Sequence, residues 1–84
     1  MSNEHSFPYM TYDAEVDAAY VYFRDAEWDH MEVLDDYRNV DYGQDGEPVG
    51  VELLYVSEGV NLEGLPHRDV IERLLAEHHI PMFA

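Results

Sequence analysis

Residues 40–54, VDYGQDGEPVGVELL, limit the possible folds of this chain more than any other segment. Apolar and polar side chains alternate before and after Asp45-Gly46, with the two-residue period of a half-buried strand. Gly46 accepts the positive φ that a tight hairpin turn requires, and Asp45 tolerates it. The segment therefore predicts an antiparallel β-hairpin. Its inward face would carry Val40, Tyr42, Val49, Val51 and Leu53.

A second clear strand spans residues 18–24. Because side chains alternate between the two faces of a strand, Val21 and Phe23 share one face and Tyr20 and Tyr22 share the other. We expect the aliphatic face to lie in the core. The tyrosines are then left on the opposite side of the sheet.

The C-terminal third has the spacing of a helix. Val70, Ile71, Leu74 and Leu75 form one apolar stripe, and Pro81 lies beyond the last apolar position. On the outer face, the i,i+4 spacing predicts that Arg73 pairs with Asp69 and with Glu77. A helix of this kind has to bury its stripe, and one face of the sheet is the natural place.

These patterns together predict one small α+β domain. We expect an antiparallel sheet of three or four strands, arranged as a β-meander, with a C-terminal helix packed on one face. The acidic stretch 25–31 is expected to be irregular. The predicted boundaries are a flexible arm at 1–8 and a single domain at 9–84, comprising the sheet at about 9–56, a linker at 57–65 and the helix at about 66–79.

The charge of the chain restricts its partners. Nineteen acidic residues face four arginines and no lysine, which gives a formal net charge of −15. Such a chain repels phosphates and anionic lipids, so we expect neither nucleic-acid nor membrane binding. The acidity has three interpretations. It keeps the protein soluble, it complements a basic protein partner, or it reflects high salt or mimicry of a nucleic acid.

The sequence contains no cysteine and therefore no disulfide or thiolate metal site. The first ten residues lack the pattern of a signal peptide, and no apolar run approaches the roughly 20 residues that cross a bilayer. These features predict a cytoplasmic protein.

Two segments, taken together, resemble one known family. Residues 12–20, YDAEVDAAY, resemble its opening pattern of Tyr-Asp, a short acidic linker and Asp-Ala-x-Tyr at the start of a strand. The hairpin at residues 40–54 resembles its closing pattern, Val-Asp-Tyr, Asp-Gly and Val-Gly-Ile-Glu-Ile-Leu. The family is a small bacterial one catalogued as domain of unknown function 2283. The chain departs from the usual pattern at Arg38-Asn39, Gly43 and Pro48.

The resemblance implies a compact antiparallel sheet and no assigned activity. Members are discussed as partners of small toxin-like proteins in bacterial or phage genomes. An acidic, antitoxin-like role is therefore one implication of the resemblance, although fold and family do not by themselves specify function.

Three carboxylates are candidates for a metal or acid–base site, namely Asp13, Asp41 and Glu52. Hard cations bind several carboxylates, and a buried carboxylate with a shifted pKa can move protons. Each residue also has an ordinary structural interpretation. Asp13 would cap a turn, while Asp41 and Glu52 would face water on the sheet. The sequence contains no nucleophile motif, glycine-rich phosphate loop or zinc-binding histidine spacing, so we expect neither an enzyme nor a cofactor.

Tyr20, Tyr22 and Glu52 are the candidate interface residues. Tyrosine is common at interfaces because its ring buries area while its hydroxyl stays polar, and Glu52 would pair with Arg24 or Arg38. The leading hypothesis is a non-enzymatic acidic interaction module, a homodimer that also binds a basic protein partner. The alternative is a small metal-binding or hydrolytic protein that uses the three carboxylates.

Overall fold

The computed structural model describes residues 6–84 and has the predicted α+β character. Its main sheet contains β1 (Tyr9–Asp13), β2 (Ala18–Tyr22), β3 (Trp28–Asp35), β4 (Arg38–Gly43) and β5 (Pro48–Leu54). A 3-10 turn (Val56–Glu58), the short strand β6 (Val60–Asn61), the helix α1 (Arg68–Glu77) and the short strand β7 (Met82–Phe83) follow. Most of the predicted arm at 1–8 lies outside the described residues.

The main sheet is antiparallel throughout, in the spatial order β1-β2-β5-β4-β3. The predicted count of three or four strands was too low, and a simple meander is wrong. The chain crosses from β2 to the far edge of the sheet and returns through β3, β4 and β5. The last of these strands then inserts beside β2 and becomes the centre of the sheet.

The first half of β3 was not predicted, since residues 28–31 were expected to be irregular. It is an edge strand with almost every side chain exposed, so its residues need not be apolar. Register shifts after Trp28 and after Val33 also interrupt its alternation. An exposed and bulged edge strand therefore carries little of the periodicity by which buried strands are found.

Arg24 holds the Asp45-Gly46 turn from outside the hairpin. Its guanidinium donates to both carboxylate oxygens of Asp45, at 2.7 and 3.0 Å, and to the backbone carbonyls of Glu47 and Pro48, at 2.9 and 3.1 Å. The hydrogen bond from Arg24 is the main reason that the pKa of Asp45 lies below its usual value. Gly46 has a φ of 84°, as predicted, whereas Asp45 is not among the described residues with positive φ.

The core lies between one face of the sheet and α1, as expected. Most residues predicted for it are buried, and Phe23, Tyr42 and Val70 are half-buried beside it. The buried set from the prediction is Ala19, Val21, Val40, Val49, Val51, Leu53, Ile71, Leu74 and Leu75. Residues from the ends and the linker complete it, namely Met10, Val56, Val60, Leu62, Leu65 and Ile80.

Arg38 fastens the linker to the sheet. Its side chain is only 12% exposed and pairs with Asp35 at 2.9 Å. The same guanidinium donates to the backbone carbonyls of Asn61, at 2.9 Å, and Glu63. Asn61 belongs to β6, which pairs in parallel with β7. Arg38 therefore binds carbonyl groups that a hydrocarbon side chain at this position would leave without a donor.

The helix α1 is shorter than the predicted 66–79 because the backbone turns left-handed at both ends. His67 before it has a φ of 50°, and His79 after it has a φ of 58°. On its outer face the ion pair joins Arg68 and Glu72 at 2.9 Å. The two pairs expected for Arg73 are absent from the ion pairs of residues 6–84, so that prediction was wrong.

Truncation of a buried side chain in the helix stripe should lower the stability of the domain, whereas truncation of an exposed helix residue should not. We expect Leu75→Ala to lower the free energy of unfolding by about 2–5 kcal/mol, since Leu75 is fully buried and leaves a cavity. The exposed Arg73→Ala serves as the control and should change it by less than about 0.5 kcal/mol. Urea denaturation followed by circular dichroism measures both. Equal losses in the two variants would contradict the packing of α1 on the sheet.

Candidate functional site

The candidate site is the sheet face turned away from α1, called the open face below. Strand pairing aligns its residues in two rows across the sheet. One row contains Tyr9, Tyr22, Gly50, Asp41 and Met31, and the next contains Thr11, Tyr20, Glu52, Asn39 and Val33. Because no helix of residues 6–84 covers this face, its described side chains contact one another or solvent.

Aromatic rings cover the β1–β2 side of the open face. Tyr9 stacks on Tyr22 with ring centroids 4.6 Å apart, and Tyr22 meets Tyr20 at 4.5 Å. The sequence therefore placed Tyr20 and Tyr22 on the correct face. Both are half-buried within this cluster, so they offer less free surface than their type suggested.

Asp41 accepts hydrogen bonds from two aromatic side chains at the centre of the open face. The Tyr20 hydroxyl donates to one carboxylate oxygen, and the Trp28 indole N–H donates to the other at 3.0 Å. Tyr20 reaches Asp41 by lying across Gly50, where any Cβ would overlap its ring and hydroxyl. The contact therefore joins β2 to β4 across the central strand and requires glycine at position 50.

Burial and the hydrogen bond to Asp41 together raise the pKa of Tyr20 well above its usual value, with burial the larger cause. The phenol therefore stays protonated and acts as a donor throughout the physiological range. Tyr20 fixes the position of Asp41 and does not supply a proton at neutral pH.

Glu52 accepts a hydrogen bond from the Asn39 side chain at 2.8 Å, across the β4–β5 pair. The expected partners Arg24 and Arg38 are engaged at the turn and at the linker instead, so that part of the prediction was wrong. Glu52 and Asp41 occupy adjacent rows on neighbouring strands, which places their α-carbons roughly 7–8 Å apart. The two carboxylates form one acidic centre on the open face.

Asp13 lies apart from this centre. It is two rows and three strands from Asp41, a separation of roughly 20 Å. Its carboxylate accepts the backbone N–H of Glu15 at 3.0 Å, as a turn residue does. Among residues 6–84, no three histidine or acidic side chains are placed to hold a metal ion. The structure therefore does not bring Asp13, Asp41 and Glu52 together.

The exposed apolar residues that β3 places on the open face were not predicted from the sequence. Trp28 is 59% exposed and Val33 is 66% exposed, with Met31 between them on β3. Trp28 and Met31 were overlooked because residues 25–31 were expected to be irregular, and Val33 lies just beyond that stretch. The available signal was the alternation of Met31 and Val33 with acidic neighbours, which resembles an edge strand. No helix in the described part of the chain is long and apolar enough to span a membrane.

The close approach of Tyr20 to Gly50 predicts a large effect of a single methyl group. We expect Gly50→Ala to cost about 1–3 kcal/mol, because Tyr20 must leave its position over the strand. In a Tyr20→Ala background the same substitution should be neutral or stabilising, since alanine restricts the unfolded chain. A double-mutant cycle by chemical denaturation measures the coupling. Equal costs in the two backgrounds would exclude the contact.

The raised pKa of Tyr20 predicts a loss of stability at high pH. An unfolded tyrosine releases its proton near pH 10, whereas folded Tyr20 retains it, so this contribution is present below about pH 10 and is lost as pH rises further. Tyr20→Phe should flatten the decline in the free energy of unfolding above that pH. In the same variant, tyrosinate absorbance should also lose a titration at the high-pH end of the curve. An unchanged titration curve would contradict the assignment.

Comparison with known proteins agrees with this architecture. The family model described as "Protein of unknown function (DUF2283)" matches residues 9–57, which contain the complete five-stranded sheet and the first two residues of the 3-10 turn. No curated protein matches the chain, and no solved structure does. With more than half of its residues matched, the chain belongs to the DUF2283 family of proteins of unknown function.

Proposed function

We propose that the protein is a non-enzymatic interaction module and that its open face binds a basic protein partner. The observation that carries the proposal is the uncovered sheet face, on which exposed apolar side chains of β3 lie beside the acidic centre of Asp41 and Glu52. Apolar residues supply area to bury, and fixed carboxylates supply complementarity to positive charge.

The acidic centre is ordered before any partner arrives. Tyr20 and Trp28 fix Asp41, and Asn39 fixes Glu52. Each carboxylate oxygen retains capacity for a further hydrogen bond, because an ionised carboxylate has about four acceptor positions. Lysine or arginine side chains of a partner can therefore bind without displacing these neutral donors, and less conformational entropy is lost on binding.

The net charge of −15 supports a basic partner over an acidic or neutral one. Summed charge of this size accelerates the encounter with an oppositely charged protein and opposes contact with nucleic acid. An antitoxin-like role, in which the acidic module neutralises a small basic protein in the bacterial cytoplasm, is the form of the proposal closest to the family resemblance.

Homodimerisation through Tyr20, Tyr22 and Glu52 is the second proposal, and the tyrosine cluster of the open face favours it. Two open faces in contact would bring four carboxylates of the acidic centres together. Dimerisation should therefore strengthen as salt rises, whereas binding of a basic partner should weaken. The two associations would also compete for the same surface.

The test measures binding of a candidate basic protein encoded in the same operon, across a salt titration. We expect its affinity to fall by about tenfold or more from low to high salt. Trp28 is the only tryptophan, so its fluorescence reports contact at the open face directly. Val33→Asp should abolish binding, and Glu52→Gln should weaken it and reduce its salt dependence. Glu77→Gln, on an exposed position of α1, is the matched control and should leave both unchanged.

Binding that is independent of salt and of Val33→Asp would refute the proposal for the open face. Duplex DNA and RNA should not bind at physiological salt, since the described chain offers no cluster of free basic side chains to release counterions. Light scattering over the same salt series separates self-association from partner binding. A monomer mass at every salt concentration would refute the proposed homodimer.

A further inference from the structure

A cleft of about 360 Å³ lies at the end of the sheet where β3 turns into β4 and β5 enters the 3-10 turn. Three aromatic side chains line it, namely Tyr37, Tyr55 and Phe83. The charged residues at its walls are Asp35, Arg38 and Glu58. Trp28 pairs with Gly43 at the other end of β4, so the cleft lies away from the contact between Trp28 and Asp41 on the open face.

The two tyrosines form a corner. Their ring centroids are 5.6 Å apart and their planes meet at 82°, with each residue 52% exposed. A cation in a corner of these dimensions can lie within roughly 6 Å of both centroids, the range in which ring faces attract positive charge. Rings at right angles that line a cleft are the arrangement by which proteins bind alkylammonium groups.

The backbone that carries both rings is defined by local hydrogen bonds and conformation. Tyr37 donates its N–H to Asp35 and accepts the N–H of Leu54 at its carbonyl, both at 2.9 Å. Tyr55 has a φ of 55° and a ψ of 44°, a left-handed conformation that is unusual for a bulky residue. Strain of this kind collects at binding sites, where the surrounding structure enforces it. Here it accompanies an aromatic side chain that lines the cleft and is half in solvent.

Phe83 reaches the cleft through β7. Its carbonyl accepts the N–H of Leu62 at 2.8 Å, and its ring lies against Gly59, where a Cβ would be 3.3 Å from the ring. Gly59 also has a φ of 104°, which favours glycine at this position. The third aromatic wall is therefore positioned by strand pairing and by a glycine.

The charges of the cleft favour a cation. Arg38 is neutralised by Asp35 and donates to two backbone carbonyls, so it presents little free positive charge. Glu58 forms no ion pair among residues 6–84 and is the uncompensated charge of the walls. The surrounding protein adds a strongly negative field.

We propose that this cleft is a binding site for an organic ammonium cation, held in the corner of Tyr37 and Tyr55, closed by Phe83 and attracted by Glu58. The ligand is either a free quaternary ammonium compound or a lysine side chain of another protein. The site does not depend on the open face, so it stands or fails separately from the proposed function.

Choline and its uncharged carbon analogue 3,3-dimethylbutan-1-ol test the charge directly, with NMR chemical shifts of the whole protein as the readout. We expect choline to shift the ring signals of Tyr37, Tyr55 and Phe83 and to bind roughly fivefold or more tightly than the neutral analogue. A parallel titration with Nα-acetyl-lysine methylamide, which keeps its side-chain ammonium group, shows whether the natural ligand is a free cation or a lysine side chain. Tighter binding of choline indicates a free cation, and tighter binding of the lysine derivative indicates a protein side chain.

Tyr55→Asn is the informative variant, because asparagine tolerates the left-handed conformation and the fold should persist without the ring. We expect it and Tyr37→Leu to weaken cation binding about fivefold or more, while Phe7→Leu, an exposed aromatic residue at the opposite end of the sheet, leaves it unchanged. Equal binding of choline and the neutral analogue, absence of binding by both cations, or full affinity in folded Tyr55→Asn would overturn the proposal.

Discussion

The pairing of Val51 with Val21 on one side and Val40 on the other is the constraint on which the rest of the structure depends. These residues are at most 1% exposed and occupy the three central strands. Because side chains alternate with a period of two, a valine fixed toward α1 fixes Gly50 and Glu52 toward the open face. A register slip of one residue would turn Glu52 into the core, and burying that charge would cost several kcal/mol. The hydrophobic register therefore also sets the position of the acidic centre.

The sequence predicted the elements whose periodicity comes from burial. Three elements have one buried face and one solvent-exposed face, namely the hairpin around Gly46, the strand around Val21 and the helix around Leu75. All three were predicted. Edge strand β3 has no buried face, so its start at Trp28 was missed. The crossing from β2 to β3 was missed for another reason, because loop residues 23–27 do not record which edge of the sheet the chain joins next.

The candidate site divides in the same way. Alternation alone placed Tyr20 and Glu52 on the open face. The link from Tyr20 to Asp41 was not predictable, because it joins β2 to β4, two strands that are not consecutive in the chain. The link from Trp28 to Asp41 was not predictable, because the start of β3 at Trp28 was missed. Gly50 offered a partial signal, since a glycine inside a strand often marks the close approach of another group. Arg24 and Arg38 bind backbone carbonyl groups at the turn and at the linker. The positions of those groups depend on the fold, so these contacts could not be predicted from the sequence.

Within residues 6–84, three of the four arginines are engaged in ion pairs, at Arg24, Arg38 and Arg68. Internal pairing leaves the excess of carboxylates unmatched, and both proposed sites therefore favour cationic partners. They differ in how the chain builds them. The open face lies within the family-matched residues 9–57, whereas the cleft also needs Phe83 from the segment beyond them. Substitutions in that last segment can change the cleft while the sheet register, and with it the acidic centre, stays fixed.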